Sequence, residues 1–241
     1  MTRITAVLLD SGGVLNRPAT GHWFISPHFF EFVDERKFCA VSTRRRRSAF
    51  ARGSSYLAAH PLIPTIKDEY YHFVEFYRIV FAALSELKVS SDRVASVASD
   101  LVHCDDKYRF FEDAAEILPR LGRSHRLAVV SDAWPSLENV YRAARMREHF
   151  SSFVISSTIN SWKPDPVIYK TALEELGVHP SDTLFVDDHP KNCDGARKLG
   201  LHTAVMCRDL RSALYQRAAG CRHRLVRNLV EVERMADTVF A

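Results

Sequence analysis

Ala6-Val7-Leu8-Leu9-Asp10-Ser11-Gly12-Gly13-Val14-Leu15 is the stretch that decides the fold. A short apolar run ends in a carboxylate, and two glycines follow almost at once. A run this short and this uniformly apolar reads as a fully buried strand of a parallel sheet. Ligands of open α/β sheets gather beyond the carboxyl ends of the strands, so Asp10 would stand at the mouth of the sheet. Gly12 and Gly13 would let the backbone turn tightly and approach a ligand with no Cβ in the way. From these residues alone, an aspartate that merely starts a turn reads equally well.

Three later stretches bear on that choice. Leu127-Ala128-Val129-Val130-Ser131-Asp132 is a second apolar run, ending in a hydroxyl. Ser161-Trp162-Lys163-Pro164-Asp165-Pro166 places a lysine in a proline-locked loop before a helix. Thr183-Leu184-Phe185-Val186-Asp187-Asp188 is a third run, closing on adjacent carboxylates. A carboxylate nucleophile, a hydroxyl, a lysine and an acidic pair are the parts that metal-assisted phosphoryl transfer needs. In this order they resemble the four motifs of the haloacid dehalogenase-like (HAD) hydrolase superfamily, and the resemblance covers nearly the whole chain. Its most specific part is KPDPVIY (163–169) followed by FVDDHPKNCDGARKLGL (185–201).

With 241 residues, 46% of them hydrophobic, the chain can bury a sizeable core. Its net charge of +4 is mild and argues for no nucleic-acid partner without a clustered patch. The densest run, Arg44-Arg45-Arg46-Arg47 with Arg52 nearby, would point around most of a helix and reads as a solvated face. The five cysteines (Cys39, Cys104, Cys193, Cys207, Cys221) form no CxxC pair, which argues for reduced thiols. Apolar runs are too short to span a bilayer, and no signal peptide is visible. A cytoplasmic protein without membrane attachment is expected, as a monomer or homodimer.

Residues 16 to 110 carry helical spacing and no strand alternation. Helix starts are expected at Ser26-Pro27, at Thr65 with Asp68 and Glu69 in its first turn, and at Ser90-Ser91-Asp92. Another helix is expected between Ser42 and His60, weakened by Gly53. The aromatics here (Trp23, Phe24, Phe29, Phe30, Phe32, Phe38) read as core. From Phe111 onward helices and strands alternate: helices at 112–122, 135–144, 165–176 and 191–199, strands at 126–130, 152–155, 183–186 and 202–206. The tail reads as two weaker helices with a short strand near Leu225-Val226. Gly122, Gly177 and Gly200 sit where helix C-caps belong. The pattern predicts an α/β fold, a Rossmann-like parallel sheet core with an inserted helical cap domain. The core takes residues 1–15 and 111–241 and the cap residues 16–110, the position of the cap in type I members of the superfamily.

The resemblance implies a Mg²⁺-dependent phosphatase acting on a small phosphorylated metabolite. Asp10 maps to the nucleophile. The metal set maps to Asp10, the carbonyl of Gly12 and Asp188, with Asp187 beside them either as a ligand or behind one. Ser131 maps to the hydroxyl that donates to a phosphate oxygen, and Lys163 to the lysine that offsets charge on nucleophile and phosphoryl group. Ser11, Gly12 and Asp132 join Ser131 and Lys163 in the phosphate-binding set. Asn192 maps to a position that is acidic in some branches; capping or loop bracing is the favoured role. His22, Trp23 or His28 is expected nearest the substrate.

Gly12 departs from the family pattern. Most phosphatases of the superfamily carry there a second aspartate that serves as general acid and base, a contribution of typically 10²–10⁴-fold. Two other readings therefore stand beside the phosphatase. One is carbon–halogen or carbon–phosphorus cleavage, in branches that also lack that aspartate. Family dehalogenases need no metal, which the Asp187-Asp188 pair counts against. Phosphonate cleavage needs a cap lysine, and no motif marks Lys37 or Lys67. The other reading is a phosphate-binding regulatory protein with little turnover.

Overall fold

In the computed structural model, which describes residues 2–240, Ala6–Leu9 forms a strand, β1, with every residue fully buried. Five strands run parallel with it: β2 (Arg126–Ser131), β3 (Ser152–Ile155), β4 (Thr183–Asp187), β5 (His202–Met206) and β6 (Arg224–Val226). Their order across the sheet is β3-β2-β1-β4-β5-β6. This is the doubly wound order, built outward in both directions from the first strand by helical crossovers. Winding direction reverses between β1 and β4, and that reversal opens a crevice at the strand ends. Leu9 pairs with Val129 of β2 and Val186 of β4, which sets Asp10 level with the ends of both neighbours.

The chain divides into two units. The α/β unit takes residues through Arg17, Phe110–Ala133, and from Tyr141 onward; the helical unit takes Pro18–Arg109 and Trp134–Val140. Within the α/β unit, helix Pro166–Leu176 buries Ile168, Tyr169, Ala172, Leu173 and Leu176 in one core with Val154, Phe185 and Val205. Asp165 caps this helix by accepting from the Val167 N–H at 2.8 Å, and Gly177 ends it in the left-handed region. Gly200 also has positive φ, but Gly122 lies inside helix Glu112–Ser124, which runs on to a cap at His125. A glycine without a following breaker did not stop that helix.

The helical unit is built on helices Thr43–Ala59, Ile66–Ala83 and Ser91–His103. Thr65 caps the second, accepting from the Asp68 N–H at 3.1 Å and donating to its carboxylate at 2.6 Å. Phe73, Phe76, Tyr77 and Val80 are fully buried in its interior. Gly53 has a packing reason: a Cβ there would lie 2.7 Å from the Phe76 ring and 3.1 Å from Val80. Close approach of the two helices therefore offsets the helix propensity that glycine gives up.

Three expectations are corrected in this unit. The helix after Ser26-Pro27 is only one turn, Phe29–Phe32, and a further short helix, Glu35–Ala40, follows an Asp34 cap. The insert is not purely helical, because short strands stand at Asn16–Pro18 and Tyr108–Phe110. Trp23 and Phe30 are exposed, whereas Phe24 packs 4.7 Å from the Phe76 ring. Ser136, in the stretch that joins this unit, donates its N–H (2.7 Å) and hydroxyl to the buried Glu69 carboxylate. The buried Lys107 ammonium donates in turn to Ser136 Oγ at 2.6 Å and to Leu101 O at 2.8 Å. Both charges are fully provided with partners, the condition under which burial of ions is tolerated. Among the described residues no helix is long and apolar enough to cross a membrane.

Candidate active site

Asp10 stands one residue past β1, its N–H donating to Val186 O at 2.9 Å. Asp187 ends β4, Ser131 ends β2, and Lys163 enters from the loop before helix Pro166–Leu176. Lys163 Nζ lies 2.7 Å from Asp10 Oδ1 and 2.7 Å from Asp187 Oδ2, its side chain 1% exposed. Carboxylate oxygens of Asp10, Asp187 and Asp188 all lie within 4.8 Å of one another. Three carboxylates thus face one ammonium, an excess of negative charge at the strand ends.

The two adjacent carboxylates differ in their surroundings. Asp187 is fully buried and accepts from Lys163 Nζ, the His189 N–H (2.7 Å) and both-oxygen contacts of Asn192 Nδ2 (3.1 and 3.0 Å). Asn192 accordingly braces Asp187. Asp188 is exposed and packs against the tight turn at Gly13. A Cβ on Gly13 would lie 2.7 Å from Asp188 Cγ, and its φ of +73° already disfavours any side chain. Gly13 is the position where the glycine is required twice over.

Burial pushes the Asp10 carboxyl up to about 8; Lys163 opposes this, while Asp187 and Asp188 reinforce it. Although Asp188 keeps an open edge to solvent, the protein crowded around its carboxyl desolvates it and raises it likewise, with Asp187 adding to the effect. Hard oxygen donors converging with uncompensated negative charge suit a divalent cation of the Mg²⁺ type, bound through one or two carboxylates. The residues present fit that ion.

A stability prediction follows. A carboxyl held above its unfolded value of 3.8 favours the folded state at low pH, and that contribution is lost as pH climbs from 3.8 to about 8. In chelator, the thermal midpoint of the protein should fall across this window, and Asp10→Asn should flatten the fall. A wild-type midpoint that rises between pH 5 and 8 would refute it.

Two of the expected phosphate-binding residues have side-chain partners within the α/β unit. The Ser11 hydroxyl is turned into the core, where it accepts from Asn16 Nδ2 (2.7 Å) and from the Tyr141 hydroxyl (2.9 Å). The Ser11 carbonyl is committed too, accepting from the Leu15 N–H at 2.8 Å and the Asn16 N–H at 3.0 Å, so the half-buried Gly12 is the more open residue of this loop. Asp132 Oδ1 accepts from the Lys163 N–H at 2.9 Å, so it holds the lysine loop, a use better suited to an anion than contact with phosphate. Ser131 is buried at the end of β2.

Sequence reasoning missed Tyr141, Asn16 and Gly195. Gly195 lets helix Pro190–Lys198 lie against the Lys163 loop, since a Cβ there would sit 2.6 Å from Pro164 Cβ. Only the glycine inside a helical pattern hinted at it. His22, Trp23 and His28 belong to the helical unit. His22 Nδ1 accepts from the Phe24 N–H at 3.2 Å and burial lowers its pKa; Trp23 meets Tyr108 edge-on; His28 pairs with Asp100.

Residues 61–206 match the family model of haloacid dehalogenase-like hydrolases. The chain is 29% identical over 137 residues to a phosphoserine phosphatase of Thermus thermophilus, covering 56% of this chain and 55% of that protein. It is 29% identical over 122 residues to an (S)-2-haloacid dehalogenase of Burkholderia cepacia, covering 50% of each. The chain thus spans about half the length of these relatives. The L-2-haloacid dehalogenase of Xanthobacter autotrophicus shares its fold with a TM-score of 0.67 at 18% identity, over 98% of this chain and 100% of that one. The match to the family model over more than half its length establishes that this chain belongs to the haloacid dehalogenase-like hydrolases.

Proposed function

We propose that the chain is a Mg²⁺-dependent phosphatase that hydrolyses a small phosphorylated metabolite through a phosphoryl group carried on Asp10. The observation that carries this reading is the third carboxylate. Lys163 compensates Asp10 and Asp187, and Asp188 adds a further charge within reach of both, which a bound divalent cation would balance. Asp10, Asp188 and the Gly12 carbonyl would hold the ion, with Asp187 orienting Lys163 behind them. When bound, Mg²⁺ supplies the charge neutralisation that lets an anionic nucleophile meet an anionic phosphate.

Asp10 attacks phosphorus, the ester oxygen leaves with the bonding pair, and water then cleaves the acyl phosphate to return Asp10 and release phosphate. Lys163, fixed between Asp10 and Asp187, offsets charge on the transferring group. Ser131 donates to a phosphoryl oxygen. The helical unit is read as the family's cap, the part that selects the metabolite.

Metal dependence tests the assignment. EDTA should abolish phosphate release from a generic aryl phosphate, Mg²⁺ should restore it, and Asp188→Ala should raise the metal requirement steeply. One relative is a haloacid dehalogenase, and Gly12 supplies no acid, so carbon–halogen hydrolysis is the second reading. Full activity in EDTA, with halide released from a 2-haloacid, would transfer the assignment to it.

Gly12 also sets a preference among phosphates. With no side-chain acid at that position, the leaving oxygen departs as an anion or takes its proton from water or substrate. Aryl, acyl and anomeric phosphates should therefore react faster than phosphates of ordinary primary alcohols. A rate series against leaving-group pKa should show a steep negative slope, flattened by Gly12→Asp. A flat slope in the native protein would mean that another acid serves the site.

A further inference from the structure

The helical unit carries a second group of converging ligand atoms. His28, Asp100 and Cys104 each place one such atom within 4.8 Å of the other two. Asp100 and Cys104 are one helical turn apart at the end of helix Ser91–His103, where the Cys104 N–H donates to Asp100 O at 2.9 Å. His28 immediately precedes the one-turn helix Phe29–Phe32, whose Phe29 is fully buried and anchors it. His28 Nδ1 lies 2.9 Å from Asp100 Oδ1.

A plain His–Asp ion pair does not account for the arrangement. The second oxygen, Asp100 Oδ2, is buried and has no hydrogen-bond partner. An orphaned carboxylate oxygen in the interior is costly, and it asks for a donor or a cation. Asp105 and Asp106 line the same surface cavity of about 570 Å³, together with His103, Ser96 and Ser99, adding negative charge and room for water. The neighbouring cation, Lys107, is committed to Leu101 O and Ser136 Oγ.

We propose that His28, Asp100 and Cys104 form a binding site for Zn²⁺ on the helical unit, with water in the fourth position. The donor set decides the metal class. One imidazole nitrogen, one carboxylate oxygen and one thiolate sulfur suit a borderline cation in tetrahedral geometry. They do not suit Mg²⁺, which takes oxygen ligands and belongs at Asp10 and Asp188. Tetrahedral bonds of about 2.0–2.3 Å put ligand atoms roughly 3.3–3.8 Å apart, within the spread already present. Binding displaces the Cys104 thiol proton and any proton on His28, and Asp100 turns Oδ2 from an orphan into a ligand or a ligand's neighbour. Affinity therefore rises with pH.

Co²⁺ is the probe, because only a thiolate ligand gives it an intense near-ultraviolet charge-transfer band. Titration of the intact, reduced protein should develop one equivalent of this band, and Zn²⁺ should bleach it. The band should persist in Cys39→Ser and vanish in Cys104→Ser. Co²⁺ at the carboxylates of Asp10 and Asp188 contributes no such band, so the readout is separate from catalysis. His28→Ala, at an exposed position, guards against misfolding of the cysteine variant; it should weaken Co²⁺ binding by at least about tenfold. No charge-transfer band, a band that survives Cys104→Ser, or unchanged affinity in His28→Ala would overturn the site.

Discussion

Asp10→Asn should reduce hydrolysis to the solution background while leaving the protein folded. Asparagine keeps the size and polarity of the side chain and its place beside Lys163, but it carries no anionic oxygen to attack with. Loss of a nucleophile costs on the order of 10⁴–10⁶-fold in turnover. The substitution also removes a carboxyl that burial disfavours as an anion, and Asp187 still pairs with Lys163, so the variant should remain folded at neutral pH. Steady-state phosphate release and a thermal scan on one sample separate the two effects. Normal turnover by Asp10→Asn would exclude covalent catalysis at this residue. Loss of turnover accompanied by unfolding would contradict the view of Asp10 as an electrostatically costly group.

Lys163→Met should have the largest effect on stability. Its ammonium is buried between Asp10 and Asp187; burial is the largest single influence and lowers its pKa, but the surrounding carboxylates together outweigh it and hold the pKa above the ordinary lysine value. Methionine keeps the length of the side chain and leaves the carboxylates facing one another. Breaking a buried pair from one side typically costs about 3–5 kcal/mol. The loss should be greater at pH 8 than at pH 5, because at pH 5 Asp10 retains its proton and less charge is left unpaired. Mg²⁺ should recover part of it. Urea unfolding at the two pH values, with and without Mg²⁺, measures all three effects. A loss under about 1 kcal/mol at pH 8 would show that the carboxylates do not need this lysine, and it would remove the electrostatic basis of the site.

The core strands and the positions of Asp10, Lys163, Asp187 and Asp188 were legible in the sequence because each is announced locally. An apolar run that stops at a carboxylate marks a buried strand end, and prolines around Lys163 mark a loop before a helix. Alternation after Phe111 then implies a parallel sheet, which brings strand ends to one edge whatever lies between them. Side-chain direction carries no such local mark. The Ser11 hydroxyl is spoken for by Tyr141, 130 residues away, and Asp132 by the backbone of Lys163, 31 residues away. Gly195 and Gly53 look like helix defects until Pro164 and Phe76 are seen to fill the space a Cβ would take. The convergence of His28 on Asp100 and Cys104 belongs to the same class, since 72 residues separate the first two. Local periodicity decides what a segment becomes. Which groups face one another is decided by the packing of segments distant in the chain, and only the folded structure contains that information.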